Sequence, residues 1–591
     1  MSAGGAPPAG TDAVPLDRDA LQDRLSPLVA ALYPARADEV LGALLALADR
    51  WAPRLGPTGR ARPDEGTAYL ITYGDSVRRP GEAPLRTLRE VLRTHVRDAV
   101  TDVHLLPLYP WTSDDGFGVV DHRVVDPALG TWEDVADLRA DHALMLDFVA
   151  NHVSGSSPWF REWLARDPRR AGWFLEPGEG FDTSRVVRPR TTPLVHPFPR
   201  PDGTVAHAWT TFGPDQVDVD PRTPELLLEL TDVLLGYLAH GATTVRLDAV
   251  GFLWKEPGTT CLHLPGTHGV IRVWRALVDA LAPGALLLTE TNVPHADNVT
   301  YLGDGSDEAH MVYQFALPPL VLHAFVTGRA TALARWAAGI GPVSPTATWF
   351  NFLASHDGIG LRPSEGLLTD DDRALLVERT LARGGRVSLA RRPDGSEGVY
   401  ELNTNYLDAL VDPGDPDPDT AAVVRGLAAH AVLLSLVGVP AVYVHSLLGS
   451  GQDTAAVEAS GIARRINRET LDADRLADEL VTSPRRQGML EGLRRLLEVR
   501  RTLPGLSPFA AQAVEEPDPR VLVVRRAAGT DDEVVTVVNV SDEGVHLPGL
   551  TGTDVLTGTA HPDGLDLPPH GYAWLVPATR PWGGSGASPS P

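Results

Sequence analysis

Three carboxylates stand where apolar runs end: Asp248 in VRLDAV, Glu290 in LLTETN and Asp357 in FLASHDG. A fourth run, DFVANH, carries Asp147 and closes on Asn151 and His152. Each residue alone fits a strand end or a helix N-cap, but polar groups at the ends of successive runs point to a site. Gathering three carboxyl groups at one mouth is expensive unless chemistry or hydrogen bonding requires them. The chemistry they suit is glycosyl transfer with retention. One carboxylate attacks the anomeric carbon, and a second carboxyl group about 5–5.5 Å away protonates the leaving oxygen. Arg246 lies two residues before Asp248, hence on the same side of a strand, and a fixed cation there is expected to depress the Asp248 pKa. That asymmetry assigns Asp248 as nucleophile and Glu290 as the acid that keeps its proton. Asp357 is then expected to hold the hydroxyls of a distorted sugar, with His152 and His356 as neutral donors to sugar oxygens.

Such a set needs strands that end at a common mouth. From Thr67 onward, short apolar runs (TAYLITY, DVHLLPLYP, ALMLDFVANH, TTVRLDAV, ALLLTETN, TWFNFLASHD, GVPAVYVHS) alternate with helical stretches. Runs buried on both faces and separated by helices indicate βα units and a parallel sheet. The number of units predicts an α/β fold, a closed (β/α)8 TIM barrel, with its chemistry at the C-terminal face. Four divisions follow from texture. Residues 1–66 are a disordered start and a helical N-terminal arm, and 67–505 are the catalytic barrel, with 153–222 as an inserted domain after the third strand. Residues 506–578 alternate as a small C-terminal β-sandwich, and 579–591 are a flexible tail.

Composition narrows the partners. The 591 residues carry 52 basic and 77 acidic side chains, a net charge of −25 that opposes nonspecific binding to nucleic acid or an anionic membrane. One cysteine, Cys261, excludes an intrachain disulfide framework and a thiolate zinc cluster. No uninterrupted apolar run of about 18 residues occurs, and the start lacks a signal-peptide pattern, so a cytoplasmic setting is the expectation. Lys255 is the only lysine; every other basic residue of the Lys+Arg count is arginine. A solvent-facing cation in such a chain would have been arginine, so Lys255 is expected to meet a buried carboxylate or carbonyl beneath the acceptor subsite, where a compact ammonium fits and a planar guanidinium does not.

DFVANH, VRLDAV, LLTETN and FLASHDG resemble the four sequence blocks of the α-amylase superfamily. LITYGD, DDGF, TTFGPDQVDVD, VYQFALPPLVLHA, HDGIG and INRE are similar to its sucrose phosphorylase branch, over about Thr67 to Arg500. Within that branch, LDAVGFLWKEPGTTCLHLPGTH, TETNVPHADNVTYLGDG and HDGIGLRPSEGLL most resemble the glucosylglycerate phosphorylases. The resemblance implies reversible phosphorolysis of an α-glucoside to α-glucose 1-phosphate with retention. It implies no cofactor and no metal, inorganic phosphate serving as co-substrate. By position it assigns Asp248 as nucleophile, Glu290 as acid/base and Asp357 as transition-state stabiliser, and matches Asp114, His152, Arg246, His356 and Arg468 to residues gripping the glucosyl unit. Arg190 and Gln216 match places near phosphate or the leaving sugar. Val187 and Phe252 stand where sucrose phosphorylases have tyrosines, and LARRPDGSEG differs from its counterpart there, which counts against sucrose; the loop resemblance puts glucosylglycerate first, ahead of glucosylglycerol, sucrose and sucrose 6′-phosphate. Phosphate and glycerate are both anions, so Arg190, Arg362, Arg391 and Arg392 are candidate cations for the acceptor side. Partners are a small glucoside and phosphate, with homodimer assembly left open. Sucrose phosphorylase, a sucrose hydrolase or transglucosylase, and an inactive barrel used as a binding module are the alternatives.

Overall fold

The computed structural model describes residues 16–59, 62–391 and 395–577. Arg392, the first fifteen residues and the 579–591 tail lie outside that set. Eight parallel strands close a barrel: β1 (Tyr69–Thr72), β2 (Asp102–Leu105), β3 (Ala143–Val149), β4 (Ala242–Asp248), β5 (Leu286–Thr289), β6 (Met311–Tyr313), β7 (Thr348–Phe352) and β8 (Val439–Tyr443). Each pairs with its neighbours in sequence, and β8 closes on β1. The strands are buried almost throughout, as both-face burial by barrel core and helix ring demands. In β4 even Arg246 and Asp248 are buried, because β3 lies alongside in a register that sets Asp147 opposite Arg246 and Val149 opposite Asp248.

The N-terminal arm is two helices, Arg18–Leu32 and Ala37–Trp51, which bury Leu21, Leu25, Val29, Val40 and Leu44 in the main core. Between β3 and β4 the inserted segment forms two short antiparallel pairs: Val195–Pro199 with Val205–Trp209, and His152–Ser154 with Gln216–Asp218. The second pair fastens the insertion to the barrel mouth. A hairpin, Arg386–Arg391 with Glu397–Asn403, joins Ile359–Gly360 in a three-stranded sheet between β7 and β8. Sequence reading saw only an altered segment there, because LARRPDGSEG is polar and its strands are half exposed, which hides a period-two pattern. The C-terminal region has a six-stranded sheet and a two-stranded sheet that enclose Val521, Val523, Val535, Val537, Leu565 and Leu575.

Candidate active site

Asp248 ends β4, Glu290 follows β5 and Asp357 follows β7, so three strands deliver three carboxylates to one cavity at the C-terminal face. Behind them, Arg246 Nη1 donates to Asp248 Oδ1 at 2.8 Å and also to Asp147, whose other oxygen is 2.8 Å from His104 Nε2. After Asp248 the chain turns sharply. Ala249 adopts φ +47°, and its N–H donates to Glu290 Oε2 at 2.9 Å, tying the second carboxyl to the turn that follows the first.

The expected pKa asymmetry is not what this arrangement produces. Burial pushes Asp248 well above the usual carboxylate range; Arg246 opposes this, but Glu290, Asp147 and Asp357 add to it. Glu290 is raised as well, by burial first, against the pull of Arg246. The reason is that one guanidinium is shared between Asp147 and Asp248 while both carboxyls are desolvated and repel each other. Both carboxyls are therefore pushed toward their protonated forms. Their roles rest on contacts instead: Asp248 is hydrogen-bonded to the fixed cation, which favours its ionised form, whereas Glu290 is held by one neutral backbone donor.

On the glucosyl side, Asp114 lies in a turn after β2 with φ +53°, and Asp115 follows at φ +46°. Burial alone would raise Asp357, but Arg464, His356 and Arg468 outweigh it and hold it far below the usual range. Arg464 Nη1 is 2.8 Å from Asp357 Oδ1 and 3.9 Å from Asp114 Oδ1, and its side chain lines the cavity. Arg468 sits one layer behind: it bonds Asp115 and the His356 carbonyl at 2.8 Å each and approaches Asp357 only to 4.0 Å. Sequence reading passed over Arg464, although it stands in the same RRINRE stretch. His356 stacks on Phe117 at 4.8 Å, and burial lowers its pKa to about 3, so the ring is neutral. His152 is likewise lowered by burial, and its Nε2 contacts the Phe117 carbonyl at 3.1 Å.

The cavity is also lined by Arg190, Phe212, Gln216, Asn292 and Tyr400. Arg190 lies over the Phe212 ring at 5.8 Å and the Tyr400 ring at 5.6 Å, and forms no ion pair among the described residues. Gln216 reaches Asp114 Oδ2 at 3.4 Å and His152 Nε2 at 3.2 Å. Asn292 is packed so closely against Gly360 that a Cβ there would lie 2.6 Å from Oδ1. Phe252 packs edge-on against Phe212 at 5.3 Å, supporting the wall without lining the cavity. Asn292 and Tyr400 were not singled out from sequence: the first looks like any polar strand-end residue, and the second arrives on the unforeseen hairpin.

Lys255 is 1% exposed and does not reach the cavity. Its Nζ lies 2.9 Å from Asp218 Oδ2, 3.0 Å from Asn151 Oδ1 and 3.5 Å from the Val219 carbonyl. Three acceptors match the three donors of one ammonium, a fit a planar guanidinium cannot reproduce. The cage lies under the β3 end, where Asn151 also contacts Asp218 at 3.0 Å and His152 Nδ1 at 3.3 Å. Lys255 thus supports His152 and the insertion from below, not an acceptor subsite. A second cavity, about 610 Å³, lies elsewhere, beside Trp163, Arg200, Asp220 and Arg222. Its cations are already spent, Arg200 on Glu176 and backbone carbonyls and Arg222 on Asp220, so it offers no convergent catalytic set.

Comparison with known proteins agrees with this geometry. The family described as "Alpha amylase, catalytic domain" matches residues 98–355. The chain is 45% identical over 546 residues to the glucosylglycerate phosphorylase of Allomeiothermus silvanus, covering 92% of this chain and 97% of the relative. It is 44% identical over 528 residues to the glucosylglycerate phosphorylase of Spirochaeta thermophila, covering 88% and 89%. Among solved structures, the sucrose 6F-phosphate phosphorylase from Thermoanaerobacter thermosaccharolyticum superposes with a TM-score of 0.69 at 25% identity, over 80% of this chain and 94% of that one.

Proposed function

Because the chain belongs to the glucosylglycerate phosphorylases within the α-amylase family, we propose that it reversibly phosphorolyses 2-O-α-glucosylglycerate to α-glucose 1-phosphate and glycerate. In this reading Asp248 attacks the anomeric carbon while Glu290 protonates the departing glycerate oxygen, giving a glucosyl-aspartate. Asp114, Arg464, His152 and His356 grip the glucose hydroxyls, and Asp357 stabilises the positive charge that develops on the ring. Glycerate leaves, phosphate enters the same subsite, and a phosphate oxygen attacks from the face that glycerate left, so two inversions give net retention. Inorganic phosphate is the co-substrate and no further cofactor is required. The reaction draws on phosphate and yields a sugar phosphate, chemistry that belongs in the cytoplasm.

The observation that carries the reading is the meeting of Asp248, Glu290 and Asp357 with Arg464 in one cavity that is also lined by Arg190, a guanidinium with no ion pair among the described residues. A guanidinium near two aromatic rings and held by one backbone carbonyl rather than an ion pair suits alternating anions, a carboxylate in one half-reaction and phosphate in the other. The test is phosphate-dependent release of α-glucose 1-phosphate from glucosylglycerate, glucosylglycerol, sucrose and sucrose 6′-phosphate, with Asp248→Asn as control. Preference for glucosylglycerate supports the reading. Preference for sucrose, or glucose release without phosphate, removes the acceptor assignment and leaves the barrel chemistry.

A further inference from the structure

Arg464 presents Nη1 to Asp357 and Asp114, so something must fix the rest of its guanidinium. That group is Glu401, on the strand Glu397–Asn403 of the hairpin between β7 and β8. Arg464 Nη2 donates to Glu401 Oε1 at 2.9 Å and Nε donates to Oε2 at 3.1 Å, a two-point fork. Glu401 Oε1 also accepts the Gly358 N–H at 3.1 Å, from the residue directly after Asp357. Glu401 is fully buried and does not line the cavity. The packing is close enough that a Cβ on Gly358 would lie 2.5 Å from Glu401 Cγ.

We infer that Glu401 is a positioning residue for the glucosyl transfer: it clamps Arg464 from behind and the backbone after Asp357 from the side, and so aligns the cation with its catalytic carboxylate. The inference rests on the proposed reaction only through the role of Asp357. Both carboxylate oxygens are used, one leg of the fork each, and a single planar cation is thereby locked in orientation as well as place. A glutamine offers one acceptor where two are needed, and turns an N–H toward a guanidinium that only donates. Burial strengthens the requirement, because Asp357, Glu401 and Asp114 stabilise the charged form of Arg464 against the desolvation that opposes it. Tyr400, the preceding residue, lines the acceptor wall, so the same strand ties the acceptor side to the glucosyl side.

The test is arsenate-driven breakdown of α-glucose 1-phosphate, which needs no organic acceptor, measured for the wild type, Glu401→Gln and Glu401→Asp well below their melting temperatures. Glu401→Gln is expected to lower kcat about 10- to 100-fold with KM for glucose 1-phosphate within about three-fold, since the misaligned stabiliser acts on the transition state more than on binding. Glu401→Asp keeps the charge on a shorter arm and is expected to fall between glutamine and wild type. It also serves if the glutamine variant does not fold. Variants with lower Tm but wild-type kcat and KM would reduce Glu401 to a structural tie and overturn the inference. A wild type inert toward glucose 1-phosphate would instead sink the functional reading on which Asp357 depends.

Discussion

Two pairs of buried arginines solve the same electrostatic problem in opposite ways. At the barrel mouth, Arg246 and Arg464 are surrounded by carboxylates: Asp147 and Asp248 for the first, Asp357, Glu401 and Asp114 for the second. Burial opposes their charge, but these neighbours raise both pKa values far above the ordinary one. At the junction of barrel and C-terminal sheet, Arg500 and Arg526 are buried more completely than Arg464, and neither has an ion pair among the described residues. Arg526 bonds the carbonyls of Ser435, Ser507, Ala510 and Ala511, and Arg500 bonds those of Glu65, Thr67, Leu434 and Leu506. Burial lowers Arg500 to about 10 and Arg526 to about 9. The difference teaches what each is for. A guanidinium among carboxylates sets their protonation and geometry, which is a catalytic use. A guanidinium among carbonyls ties together loop and helix ends, some of which, such as Leu434 and Ser435, close a helix, and this is a structural use.

The comparison can be broken at either end. Asp248→Asn should show the largest effect, a loss of about 10⁴-fold or more in phosphorolysis, with Tm unchanged or raised because a repelling charge is gone; steady-state kinetics and calorimetry read both. Arg526→Met should do the reverse. Removing a buried guanidinium that gathers four carbonyls, of which those of Ser507 and Ala511 keep a backbone N–H partner, is expected to remove about 1–3 kcal/mol of stability, seen by denaturant titration, while kcat/KM at moderate temperature stays within two-fold. Substantial activity loss at full stability in Arg526→Met would erase the distinction.

Lys255 joins the two modes, a cation with one carboxylate and two neutral oxygens beneath a histidine that lines the cavity. Lys255→Arg is expected to lose about 1–3 kcal/mol through overpacking and up to about 100-fold in activity through displacement of His152. Full activity and stability would remove the cage argument. The pH profile sharpens the mouth further. Glu290 must hold a proton to assist departure, and its pKa is raised, so activity should persist above the ordinary carboxylate range and fall as pH rises through that raised value. Glu290→Gln, assayed with a donor whose leaving group needs no proton, should lose that basic limb; an unchanged limb would assign it to another group. The smallest effect belongs to Arg169→Ala, whose partner Asp167 is two residues away on an exposed turn. Stability and activity should both be unchanged within the scatter of the measurements.

The same comparison shows which features the sequence could disclose. The barrel was legible because both-face burial leaves uninterrupted apolar runs, and its carboxylates were legible because they sit where those runs stop. Lys255 was legible by composition alone: one lysine among arginines signals a requirement for that side chain, though not which wall it supports. Arg464 and Glu401 were not, because their roles come from a 3-10 segment and a half-exposed hairpin that share no period with the barrel strands. The coupled rise of Asp248 and Glu290 was also beyond reach, since it depends on Arg246 being divided between two acids, and that follows from the register of β3 against β4. Arg500 and Arg526 looked like any other arginine; only carbonyls brought together by long-range packing set them apart.

The most direct test of the central claim, that the mouth's charge frame makes Asp248 the attacking carboxylate, is to trap the glucosyl-enzyme. The Glu290→Gln variant, incubated with an activated α-glucosyl donor in the absence of phosphate and then digested, should yield one hexosylated peptide, the one containing Asp248, and added phosphate should release it as α-glucose 1-phosphate. No adduct, an adduct on Glu290-region or Asp357 peptides, or release as the β-anomer would contradict the account.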